Sequence, residues 1–83
     1  MQKTPSQRGP LGSALLAARE AMAKTQADLA HSLAVAQATI CSWESGDTKP
    51  RGDRLGLVAR GYGISVRRIR RLWLTQTFGR SAS

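Results

Sequence analysis

Residues 25–50 read TQADLAHSLAVAQATICSWESGDTKP, and the local chemistry of this stretch is directional. Thr25 stands three residues ahead of Asp28, the spacing of a capping box that starts a helix. Leu29, Ala30 and Leu33 then give one apolar face, so the stretch predicts a short helix from Gln26 to about Ser32 or Leu33. Ala34, Val35 and Ala36 make a break of about three residues. Gln37 to Ser45 predicts another short helix, with Ile40 and Trp43 inward and Gly46 at its C-terminal stop. Asp47 to Gly52 reads as a turn-rich loop stiffened by Pro50.

Helical spacing continues on both sides. Upstream, Leu11, Leu15, Ala18 and Met22 recur on one face of an alanine-rich run, which predicts a first helix over Leu11–Ala23. Downstream, Leu55, Val58 and Ala59 mark a fourth helix over Arg54–Tyr62, with Gly61 and Gly63 around its end. Ser65 caps a fifth helix that carries Val66, Ile69, Leu72 and Trp73 on one side. Residues 1–10, with two prolines and a glycine, read as a flexible N-terminal arm, and residues 75–83 as a frayed C-terminal tail. The expectation is an all-α domain over residues 11–74: a compact bundle of about five short helices in which helices two and three form a helix-turn-helix. Leu15, Leu29, Ala30, Leu33, Val35, Ile40, Trp43, Leu55 and Val58 are its predicted core.

Composition removes most other classes. Eighty-three residues hold one small domain of marginal stability, for which a second copy is the natural support. Cys41 is the single cysteine, so no disulfide is available within the chain. A lone His31 with a lone Cys41 falls short of the four ligands of structural zinc, so no metal is expected. No stretch has the length of a membrane span or the form of an export signal. No glycine-rich phosphate loop and no nucleophile–base pair is evident, so neither a cofactor nor catalysis is expected. Net charge is +8, from 13 basic and 5 acidic residues. It is concentrated: residues 49–71 carry Lys49, Arg51, Arg54, Arg60, Arg67, Arg68, Arg70 and Arg71 against Asp53 alone. Such clustering points to a polyanionic partner.

The ordered signals Thr25-Gln-Ala-Asp-Leu-Ala, Leu33-Ala-Val, Ala-Thr-Ile40-Cys-Ser-Trp-Glu44-Ser-Gly46 and Lys49-Pro50 resemble the lambda-repressor-like DNA-binding domain of the Cro/C1 (XRE) family, over about Leu11 to Trp73. The resemblance implies an ion pair between Arg19 on the first helix and Glu44 at the end of the third. It implies that Gln26, with Thr25, holds DNA backbone at a helix N-terminus, where free amides suit a phosphate. It also implies that the third helix enters the major groove. Its outward face then shows Gln37, Ala38, Cys41 and Ser42. Gln37 is the best base reader, because its amide pairs bidentately with adenine, worth ~1–3 kcal/mol of discrimination. Ala38 suits a thymine methyl, and Cys41 reads as a small filler, with a redox-sensitive thiol as the alternative. Thr39 and Ser45 are assigned to phosphate, as are Lys49, Arg51 and Arg54 in and after the basic loop. Arg51 is the pick to reach toward the minor groove. Two positions depart from the family pattern: Ala34 where glycine is frequent, and Ala36 where a capping Ser or Thr is frequent.

In this family the fifth helix usually lies toward a second copy. Ile69, Leu72 and Trp73, with Leu74 and Phe78 nearby, are therefore the expected dimer surface. Arg67, Arg68, Arg70 and Arg71 fit a solvated positive face, flanking DNA or an acidic partner. The expected function is sequence-specific binding of double-stranded DNA by a small phage or bacterial repressor, cytoplasmic and on the nucleoid. A homodimer would read an inverted repeat with half-sites about 34 Å apart. The alternative is a DNA-binding antitoxin that also holds a toxin protein. A helical bundle devoted to protein docking is the third reading.

Overall fold

A computed structural model describes residues 5–76. Residues 1–4 of the expected arm and residues 77–83 of the expected tail, Phe78 included, lie outside the described residues. Among the described residues five α-helices follow in order: α1 Pro5–Ala21, α2 Gln26–Leu33, α3 Gln37–Ser45, α4 Leu55–Tyr62 and α5 Val66–Thr75. A 3-10 turn, Gly52–Arg54, leads into α4. No strand occurs among the described residues. The all-α helix-turn-helix architecture expected from the sequence is the one observed.

The helix boundaries have local causes. Thr25 and Asp28 form the reciprocal capping box: Asp28 N–H donates to Thr25 Oγ1 at 3.0 Å, and Thr25 N–H donates to Asp28 Oδ2 at 2.9 Å. The Thr25 backbone N–H, and after it the Thr25 hydroxyl, hold the Asp28 carboxyl below its usual range. α3 ends at Gly46, whose φ of 88° is the left-handed geometry that glycine adopts without steric penalty. Ser65 Oγ accepts from Arg68 N–H at 3.1 Å and starts α5.

The α2–α3 turn follows both departures noted in the sequence. Ala34 takes φ 57°, ψ 44°, the left-handed region that an alanine enters only at a penalty, and Ala36 caps α3 without a side-chain hydrogen bond. Ala34→Gly is therefore expected to stabilise the domain by roughly 0.5–1 kcal/mol and raise the melting temperature by a few degrees. A melting curve with no upward shift would show that the turn carries no strain. Ala23, closing α1, takes the same φ of 57°, which the sequence reading did not anticipate.

The two ends of the domain differ from expectation. α1 begins at Pro5 and not at Leu11, with a non-helical break at Gly9 (φ 77°, ψ 173°) and Pro10 restarting the helix. At the other end α5 includes Thr75, and Gln76 is buried, so neither of these two residues is frayed. Gln76 Oε1 accepts the amide N–H of Leu11 at 2.9 Å, which satisfies a donor left over at the restarted helix. The φ at position 9 favours glycine, and a Cβ there would fall 2.5 Å from that oxygen and displace the Gln76 amide from Leu11.

α1 packs on α3 and α5, α2 on α3 and α4, and α4 on α5. Leu11, Leu15, Leu29, Ile40 and Ile69 are wholly buried where these helices meet, with Val58 almost so. Val35, predicted as core, is only partly buried against it. Tyr62 and Ile64 belong to the core, though neither was in the predicted set. Tyr62 continues the Leu55, Val58, Ala59 spacing by one more helical step, a signal that was available in the sequence.

Candidate nucleic-acid interface

α3 is oriented by what it buries. Ile40, Trp43 and Glu44 face inward, and this leaves Gln37, Ala38 and Cys41 exposed on the opposite side, with Thr39, Ser42 and Ser45 half-buried at the edges. Gln37, Ala38 and Cys41 sit at i, i+1 and i+4, so they form one patch near the N-terminal end of the helix. α3 itself carries no Lys or Arg. The Ser45 hydroxyl turns back to donate to Ser42 O at 3.2 Å.

The inward side of α3 is anchored by a buried carboxylate. Glu44 is 1% exposed and accepts from Arg19 through Nε to Oε2 at 2.8 Å and through Nη2 to Oε1 at 3.0 Å. Tyr62 O–H donates to Glu44 Oε2 at 2.8 Å, and Gln26 Nε2 donates to Oε1 at 3.3 Å. Arg19 also donates from Nη1 to Lys24 O at 3.0 Å, tying α1 to the link before α2. The hydrogen bonds to Glu44 hold the Arg19 guanidinium above its ordinary range. Burial, and then the bond to Glu44, push the Tyr62 phenol well above the ordinary tyrosine value. The expected Arg19–Glu44 pair is thus present, but as the centre of a four-residue network joining α1, α2, α3 and α4. Gln26, assigned from the resemblance to DNA backbone, instead points its amide at Glu44.

The basic loop borders α3 across an open groove of about 440 Å³, lined by Ala34, Val35, Ala36, Thr39, Trp43, Lys49, Pro50, Arg51 and Arg54. One wall is the α2–α3 turn and the first half of α3, and the other is the loop. Arg51 is extended into solvent, its side chain 84% exposed and only 3.8 Å from the equally solvated Asp53, a pair of little energetic weight. Arg54 is also exposed. Lys49 differs: its Nζ donates to Trp73 O at 3.0 Å and lies 4.0 Å from the centre of the Trp73 ring. Its ammonium is engaged inside the domain, which the charge pattern alone did not reveal.

The expected dimer surface changes most. Ile69 is wholly buried in the core and offers nothing to a partner. Leu72 and Trp73 are half-buried against that core. The exposed apolar side chains of α5 are Val66 and Leu74, and Arg67, Arg68, Arg70 and Arg71 are all exposed around them. None of these four arginines has an ion-pair partner among the described residues.

A left-handed α2–α3 turn, a recognition-type helix with a solvated small-polar face and a basic loop beside it define a helix-turn-helix DNA-binding domain. A helix-turn-helix family model matches residues 15–69, and the chain belongs to that family, the Cro/C1-type (XRE) helix-turn-helix proteins. Its domain is that of a DNA-binding transcription regulator. No curated protein and no solved structure matches the chain. Among the described residues no cluster of metal-ligating side chains occurs, and no helix is long and apolar enough to cross a membrane.

Proposed function

We propose that this chain is a sequence-specific repressor that binds double-stranded DNA through α3 and blocks a promoter by occupying it. The observation that carries this reading is the solvated Gln37–Ala38–Cys41 patch on α3, set beside a groove whose outer wall holds Arg51 and Arg54. Gln37 reads a base, adenine by preference, and Ala38, Cys41 and Ser42 shape the contact around it. Thr25, Thr39, Ser45, Arg51 and Arg54 supply contacts to the backbone, where the sequence-independent affinity arises.

A homodimer on an inverted repeat completes the reading. With Ile69 buried, the apolar surface that the C-terminal end of α5 offers a second copy among the described residues is exposed Leu74, with the half-buried Leu72 and Trp73 beside it. Two facing α5 helices would otherwise oppose their arginines, so the copies of this reading meet at that end. The cluster of Arg67, Arg68, Arg70 and Arg71, without an ion-pair partner among the described residues, favours a second reading, an antitoxin that uses α5 to hold an acidic face of a toxin while α3 holds DNA.

A band-shift titration against the DNA upstream of the chain's own gene, with excess random duplex near physiological salt, tests the proposal. Nanomolar binding that survives competitor, with footprint protection of an inverted repeat, is the expected result. Binding abolished by random duplex would reduce the surface to a general polyanion binder. A stable complex with the product of a neighbouring gene would favour the antitoxin.

A further inference from the structure

The loop between α3 and α4 has no regular structure until the 3-10 turn at Gly52, yet it is gripped from one side by a single residue of α5. Trp73 Nε1 donates to Pro50 O. Lys49 Nζ donates to Trp73 O at 3.0 Å and rests on the indole face, 4.0 Å from the ring centre. A Cβ built on Gly52 would lie 3.5 Å from the indole edge, so the ring also covers that glycine. Residues 49, 50 and 52 are thus held, and Arg51 between them is the one sent outward.

We infer that Trp73, with Lys49, is a positioning pair for DNA binding: the pair latches the α3–α4 loop to α5 so that Arg51 meets the DNA backbone from a fixed place. Each contact has a physical basis. Trp73 O lies in the last turn of α5, where carbonyls lack helical partners and a cation is favoured. The ring face attracts the same ammonium. An unheld loop would lose backbone freedom on binding DNA, at about 1–2 kcal/mol per residue ordered, and the latch removes part of that loss in advance. Lys49 then acts through the loop and not as a phosphate ligand.

The functional readout rests on the DNA-binding reading above, and a second readout does not. Lys49→Gln and Trp73→Phe, with Lys49→Arg as the conservative control, are titrated with random duplex DNA over a range of salt. Hydrogen exchange of the Arg51–Arg54 amides is followed in the same variants without DNA. Lys49→Gln and Trp73→Phe are expected to weaken DNA binding by about 3–10-fold, the size of one lost hydrogen bond. They should leave the slope of log K against log salt unchanged, and speed exchange in the loop while α1–α5 stay protected. Lys49→Arg, which can stack and donate as lysine does, should restore both. A slope flattened by about 0.9 in Lys49→Gln would instead make Lys49 a direct phosphate contact and overturn the assignment. Unchanged loop exchange in both weakened variants would overturn it as well. If the unaltered protein shows no salt-dependent DNA binding, the DNA-binding reading fails, and loop exchange alone decides whether the latch exists. Should Trp73→Phe fail to fold, the partly solvated Lys49 variants still give both readouts.

Discussion

Glu44→Ala should remove a large share of the domain's stability. The carboxylate is buried at 1% exposure and accepts from Arg19, Gln26 and Tyr62. Removing it strands a guanidinium that is itself mostly buried and a phenol with no other acceptor among the described residues. Breaking a buried pair in this way costs about 3–5 kcal/mol, against a total stability of roughly 4–12 kcal/mol for a chain of this size. The measurement is a urea or thermal melt followed by circular dichroism. A loss under about 1 kcal/mol would mean that water replaces the carboxylate and that the network is peripheral to stability. The network also sets an alkaline limit. In the unfolded chain Tyr62 gives up its proton near pH 10.0, whereas in the folded state burial and Glu44 keep it protonated well above that. The unfolded state therefore binds fewer protons above pH 10, and stability that is complete below that pH is lost as pH rises further. Tyr62→Phe should remove this part of the alkaline decline.

The second large effect concerns specificity. Gln37→Ala is expected to lower affinity for the specific site by about 5–150-fold, the equivalent of ~1–3 kcal/mol, while affinity for random duplex stays nearly constant. Gln37 is exposed and its side chain makes no hydrogen bond among the described residues, so its removal should leave the melt unchanged. Arg51→Ala should give the opposite pattern: weaker binding to every sequence alike and a salt slope flatter by about one. The pair is measured together, on the same two duplexes. Equal losses on both DNAs for Gln37→Ala would end its assignment as a base reader. An unchanged slope for Arg51→Ala would take it off the list of phosphate contacts.

Sequence-local features were legible wherever neighbours in the chain decide the geometry. The Thr25–Asp28 box, the glycine stop at 46, the Ser65 cap and the three-residue α2–α3 turn are all set within a few bonds of the residues involved. The α3 face was legible for the same reason, since helical spacing alone puts Gln37, Ala38 and Cys41 opposite Ile40, Trp43 and Glu44. Arg19 and Glu44 are 25 positions apart, and their pairing came from the resemblance, not from spacing.

Where the structure departed from expectation, the partners are remote in sequence. Lys49 and Trp73 are 24 positions apart and Leu11 and Gln76 are 65 apart. No periodicity reports such meetings. Ile69 shows the limit clearly: spacing put it on the apolar side of α5, but whether that side faces the core or a second copy depends on where α1 and α4 lie. Helix packing against both buries it completely and leaves the arginines outside. By itself the chain determined its helices, its turns and the class of partner that its charge seeks, because propensity, capping and net charge are local or additive. The tertiary structure alone decided which cations are free for that partner and which are spent on the fold, because that depends on which distant side chains share a desolvated space.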